Sequence, residues 1–124
     1  MIIPQLDPAN FADWLGSRQP AEQGKPAVLP IVLDVREPWE LKTASVKPDG
    51  FALVAIPMRE IPARVIEIKQ AHGSDQPIAC LCRHGTRSLQ VANFLVQSGF
   101  TQVVNLQGGI DAWSKQVDNA VPIY

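Results

Sequence analysis

The strongest constraint on the fold of this chain is a series of short, nearly continuous apolar runs with helix-forming spacing between them. The runs are Ile31-Val32-Leu33-Asp34-Val35, Phe51 to Ile56, Ile78 to Cys82 and Gln102-Val103-Val104-Asn105-Leu106. A strand that is apolar at successive positions is buried on both faces, which belongs to parallel sheets covered by helices. Between the runs, Ile61, Val65, Ile66 and Ile68 fit a helix that ends at Gly73, with Pro62 in its first turn. Leu89, Ala92, Leu95 and Val96 fit another up to Gly99, with Phe100 set to pack back over the closing turn. The alternation predicts an α/β fold, a central parallel sheet with helices on both faces.

The remaining segments fill in that plan. Asp7-Pro8 reads as an N-cap followed by the first helical position, with Phe11, Trp14 and Leu15 on one face and Gly16 as the stop. Residues 17–30 carry Pro20, Gly24, Pro26 and Pro30 and read as a loop. Glu37-Pro38-Trp39-Glu40 opens a short helix ending near Ala44, Val46 to Gly50 is a turn, and Gly108-Gly109 leads into a last helix over Ile110 to Val117. At 124 residues, 46% of them hydrophobic and 19% charged, the chain suits one domain over residues 1–124 with a single sizeable core. Its net charge of −1 comes with scattered basic residues, so no nucleic-acid footprint is expected. The start Met1-Ile2-Ile3-Pro4-Gln5 lacks the features of a signal peptide. No apolar run nears the roughly 18 residues that span a bilayer, so no membrane partner is expected either.

Chemistry concentrates at Cys82-Arg83-His84-Gly85-Thr86-Arg87-Ser88, which follows a buried strand and precedes a helical stretch. A cysteine in that position meets aligned backbone N–H groups and a helix N-terminus, which favour negative charge. Arg83 and Arg87 act in the same sense, so Cys82 is expected to be a nucleophilic thiolate. Gly85 lets the backbone curl with φ > 0. Cys80 and Cys82 are the two cysteines, and on one strand they point to the same face, where a bridge would be strained. That argues against a structural disulfide and for a reducing, cytoplasmic setting. Cys80, Cys82 and His84 lack a complementary ligand pair at metal-site spacing, so no metal is expected.

Four stretches in this order resemble the single-domain rhodaneses, a sulfurtransferase family. They are Leu33-Asp34-Val35-Arg36-Glu37-Pro38-Trp39-Glu40, Ala55-Ile56-Pro57-Met58, the loop Cys82 to Arg87, and Leu106-Gln107-Gly108-Gly109-Ile110-Asp111-Ala112-Trp113. The resemblance implies a single rhodanese-like domain with its motif-bearing core over about residues 30–117. Where members commonly carry Gly-His-Ile, this chain has Thr43-Ala44-Ser45-Val46, a departure that bears on local loop structure. The implied reaction is transfer of a sulfane sulfur from a small anionic donor, thiosulfate or a persulfide, through a Cys82 persulfide. The acceptor would be a thiol, cyanide or a sulfur-carrier protein, and no cofactor would be needed. Rhodanese-fold phosphatases and arsenate reductases carry one more loop residue, whereas Cys82 through Arg87 is six, the length that suits a small sulfur centre. A partner-binding or relay module on the same fold is the reading from a different class.

Within the loop, Arg87 is the first choice to bind the donor's charged end, since its fork of donors suits sulfonate oxygens; a salt bridge near the helix start is the competing reading. Arg83 is expected to point to solvent and tune substrate choice, and His84 to reach the substrate or lie exposed. Thr86 and Ser88 are hydroxyl donors to a persulfide or to free helix amides. Cys80 is expected to pack in the core, Asp34 and Arg36 to form a structural ion pair, and Gly108-Gly109 to be a tight turn. His72 is expected to end a helix, and Trp14, Trp39 and Trp113 to pack in the core or at its edge.

Overall fold

Five parallel strands make one sheet in the order β1-β5-β4-β2-β3 in a computed structural model that describes residues 2–17 and 29–124. The strands are β1 (Gln5–Leu6), β2 (Ile31–Asp34), β3 (Ala52–Ala55), β4 (Ile78–Leu81) and β5 (Val103–Leu106). The helices are α1 (Phe11–Ser17), α2 (Pro38–Thr43), α3 (Ile61–His72), α4 (Thr86–Gln97) and α5 (Gly109–Gln116). All four expected strands form, and each of β2, β4 and β5 is buried at every position, as continuous apolar runs require.

Alternation along these strands builds two cores. Ile31, Leu33, Val35, Ile78, Cys80 and Cys82 face one side, where Ile61 and Ile68 of α3 and Val91, Ala92 and Leu95 of α4 cover them. Val32, Ala79, Leu81, Val104 and Leu106 face the other, beneath Phe11 and Trp14 of α1 and Ile110 and Trp113 of α5. Phe11 meets Trp113 edge-on with ring centroids 4.9 Å apart, which locks the first and last helices together. The expected helices on both faces are therefore present. No described helix is long and apolar enough to cross a membrane.

Several local expectations need correction. Asp7 does cap, accepting from the Ala9 amide at 3.0 Å, but Pro8 lies in a short 3-10 turn, Pro8–Asn10, ahead of α1. Gly16 does not stop that helix, which continues to Ser17. Of the loop read over 17–30, residues 18–28 lie outside the described residues. Ile66 falls on the solvent face of α3, 69% exposed, although its spacing suggested the core. Trp14 and Trp113 are core residues, whereas Trp39 is exposed and meets the Tyr124 ring edge-on. His72 closes α3 before Gly73, as expected.

One strand carried no signal in the sequence. β1 is two residues long and pairs in parallel with β5, Gln5 opposite Asn105 and Leu6 opposite Leu106. It exists because β5 offers an edge: the Asn105 amide donates to Pro4 O at 3.0 Å and the Gln107 amide to Leu6 O at 2.9 Å.

Candidate active site

Cys82 stands one residue beyond β4, at the carboxyl end of the sheet, where open α/β sheets bind ligands. The chain then turns through Arg83, His84 and Gly85 and enters α4 at Thr86. Gly85 makes the turn possible with φ of 99°, a conformation that side chains disfavour, and its amide donates to Cys82 Sγ at 3.0 Å. The first amides of α4 have no acceptor within the helix, so the sulfur lies beside backbone donors and the positive end of the helix dipole.

The loop is held from below by the start of α5. Cys82 O accepts from the Ile110 amide at 2.8 Å and Arg83 O from the Asp111 amide at 3.1 Å. Gly109 is pressed so closely against this backbone that a Cβ there would lie 2.4 Å from both carbonyl oxygens. The paired glycines are thus the tight turn expected of them, and their further purpose is to let two backbones meet.

Behind the cysteine is a buried polar cluster. Ser88 Oγ lies 3.3 Å from Cys82 Sγ and donates to Asn105 Oδ1 at 2.6 Å. Asn105 Nδ2 in turn donates to Gly85 O at 3.1 Å and to Gln5 Oε1 at 3.0 Å. Asn105 therefore ties β1, the loop and α4 together. Sequence reasoning gave it no role, although a single amide inside the apolar run Val103 to Leu106 was a visible signal.

The two loop arginines are both held by the protein itself. Arg87 presents Nη1 and Nη2 to the two oxygens of Glu40 at 2.8 and 2.9 Å, a bidentate pair. The Arg87 hydrogen bond is the main reason that the Glu40 carboxyl is held below its ordinary range; burial opposes it and the Glu37 amide, which donates to Oε2 at 2.9 Å, adds to it. This is the salt bridge weighed against anion binding for Arg87. Arg83 does not point freely to solvent: its guanidinium carbon lies 4.5 Å from the centroid of the Tyr124 ring, a cation–π contact. Its Nε is buried with no partner among the described residues. Nothing in the sequence marked Tyr124 for this contact.

Of the other residues singled out, His84 and Thr86 are exposed on the loop and Ser88 is buried under it. Cys82 itself is 1% exposed. Cys80 is fully buried, and burial first, then the neighbouring Cys82, pushes its thiol well up. Both cysteines are free. Asp34 and Arg36 pair beneath the site, with Arg36 Nε 2.9 Å from Asp34 Oδ1 and Nη2 2.7 Å from Oδ2, both side chains fully buried. Arg36 also donates to Ala44 O at 2.8 Å and to Tyr124 Oη at 2.9 Å, so it braces the segment that lacks the family's Gly-His-Ile. A depression of about 270 Å³ lined by Val35, Glu37, Met58, Arg59 and Arg87 opens beside the loop.

A parallel, helix-covered sheet with a cysteine-led loop at its carboxyl edge defines a class of α/β domain. The chain belongs to the rhodanese-like domain family, which matches residues 12–116. It is 39% identical over 93 residues to the Arabidopsis thaliana chloroplast protein named rhodanese-like/PpiC domain-containing protein 12, covering 75% of this chain and 30% of that one. It is 38% identical over 85 residues to a protein of Allochromatium vinosum named sulfurtransferase, covering 68% of this chain and 72% of that one. A rhodanese-related protein from Thermoplasma volcanium, 26% identical, superposes with a TM-score of 0.68 over 98% of this chain and 99% of that one. The chain thus spans less than a third of the Arabidopsis relative and most of the Allochromatium one.

Proposed function

We propose that this chain is a rhodanese-type sulfurtransferase that carries a sulfane sulfur as a persulfide on Cys82, over one domain comprising residues 1–124. The observation that carries the reading is Cys82 Sγ accepting the Gly85 amide at 3.0 Å inside a loop of backbone donors. In the first half-reaction the Cys82 thiolate attacks the outer sulfur of the donor, forming a new S–S bond. The donor's own sulfur bond breaks, and its electron pair leaves with sulfite from thiosulfate or with a thiolate from a persulfide. In the second, a thiol, a sulfur-carrier protein or cyanide attacks the terminal sulfur, and Cys82 leaves as thiolate. Covalent catalysis divides one difficult transfer into two easier ones.

The amides of Gly85, Thr86 and Arg87 would stabilise the terminal persulfide sulfur, with charge supplied by the helix end and no metal required. Arg83 and His84 border the loop and would meet the incoming donor. Both cysteines being free thiols suits a reducing compartment such as the cytoplasm. Intact mass before and after incubation with thiosulfate or cysteine persulfide, beside Cys82→Ala, tests the mechanism. A gain of one sulfur that the mutant lacks and that cyanide removes is expected; no gain with either donor would overturn it.

A further inference from the structure

We propose that Glu40 sets the donor preference of the loop: by occupying both terminal nitrogens of Arg87, it biases the site away from small dianions such as thiosulfate and toward persulfides of thiols. The inference rests on the sulfurtransferase reading above.

A dianion is gripped best by a guanidinium that offers two parallel N–H donors. Arg87 is one of two loop residues with that capacity, and its fork is already spent on a carboxylate that is itself 5% exposed in its side chain. Glu40 is held rigidly for this: it is the third residue of α2, and its Oε2 also accepts the Glu37 amide. An incoming dianion would have to displace a bidentate carboxylate, and would feel its negative charge at the same place. The second guanidinium, Arg83, is stacked on Tyr124, whose hydroxyl is in turn fixed by the buried Arg36. One cation of the loop is therefore ion-paired and the other stacked on a ring before any substrate arrives.

A persulfide needs less from these side chains. Its reacting end carries at most one charge, on a sulfur that the loop amides can stabilise, and its leaving group is a thiolate rather than a sulfite dianion. Glu40 does not touch the sulfur, so it is a positioning residue that acts through Arg87.

The test compares steady-state transfer from thiosulfate and from cysteine persulfide in the parent, Glu40→Gln and the Glu40→Gln/Arg87→Gln double variant. The parent is expected to use cysteine persulfide at least about tenfold better in kcat/KM. Glu40→Gln keeps the acceptor for the Glu37 amide but frees Arg87, so its KM for thiosulfate should fall about tenfold, the worth of one charge-assisted contact. Its KM for cysteine persulfide should stay within about twofold, and the double variant should lose the gain. General damage to the fold would instead weaken both donors together. A parent that prefers thiosulfate, or a Glu40→Gln variant whose thiosulfate KM is unchanged or raised, overturns the role of Glu40 while leaving the Cys82 persulfide intact. No Cys82-dependent uptake from either donor overturns the transferase reading and this inference with it.

Discussion

Gly109 and Cys82 are held in backbone contact: the position a Gly109 Cβ would take is 2.4 Å from the Cys82 carbonyl oxygen, which also accepts the Ile110 amide. That carbonyl cannot move without lifting the loop off α5. Gly109 also has φ of 62°, where a side chain adds strain of its own. Gly109→Ala is therefore expected to destabilise the protein by about 2–4 kcal/mol, overpacking and the left-handed backbone together. Sulfur uptake by Cys82 should fall more than stability alone explains, because the loop is displaced. Urea unfolding and intact mass on the same sample check both; a variant with parental uptake would show that the contact is not what shapes the loop.

Cys80 and Cys82 share a strand face yet should differ in reactivity. Burial pushes the Cys80 thiol well up, so it stays protonated and inert at neutral pH. Cys82 is also nearly buried, at 1% exposure, but its sulfur lies in the loop and accepts the Gly85 amide. Iodoacetamide is therefore expected to add once to the native protein, at Cys82, and not at all to native Cys82→Ala. Both cysteines should react in denaturant. Peptide mapping after a short exposure decides, and label on Cys80 in the folded state would contradict the assignment.

Asp34 and Arg36 form a fully buried ion pair beneath the loop. Asp34→Asn preserves the shape but leaves the guanidinium buried with carbonyls and the Tyr124 hydroxyl as its remaining partners. An uncompensated buried charge costs about 3–5 kcal/mol, and that loss is expected by urea unfolding. Replacing both, Asp34→Asn with Arg36→Met, should cost less than the two single losses added, because the stranded charge is gone.

Much of this architecture was legible locally. Runs such as Ile78 to Cys82 and Val103 to Leu106 announce doubly buried strands, and strand alternation alone puts Cys80 and Cys82 on one face. What stayed hidden depends on partners distant in sequence. β1 has two residues and no periodicity, and forms only because β5 offers an unpaired edge. Glu40 sits inside a motif read as a helix start, yet its carboxylate meets Arg87 47 residues further on. Tyr124 reaches Arg36 across 88 residues. Ile66 satisfied helical spacing and still faces solvent, since period tells which residues share a face less sharply at the stripe's edge than at its centre.

The Glu40–Arg87 pair also predicts the acid limb of stability. The Arg87 hydrogen bond, against burial, holds the Glu40 carboxyl below its unfolded value of about 4.3. The unfolded chain therefore binds this proton first as pH falls. The pair's contribution is present in full above the unfolded pKa and is lost as pH drops through the lower, folded one. Arg87 is about a third exposed, so solvent screening limits the worth of the pair to about 1–2 kcal/mol at neutral pH. Glu40→Gln should be less stable than the parent by that amount at pH 7, with the gap closing below about pH 4, where the parent loses the same interaction. Urea unfolding of both proteins at pH 7, 5 and 3.5 measures this; a gap that persists undiminished into acid would mean that the stabilisation does not come from the charge of the Glu40 carboxylate on Arg87.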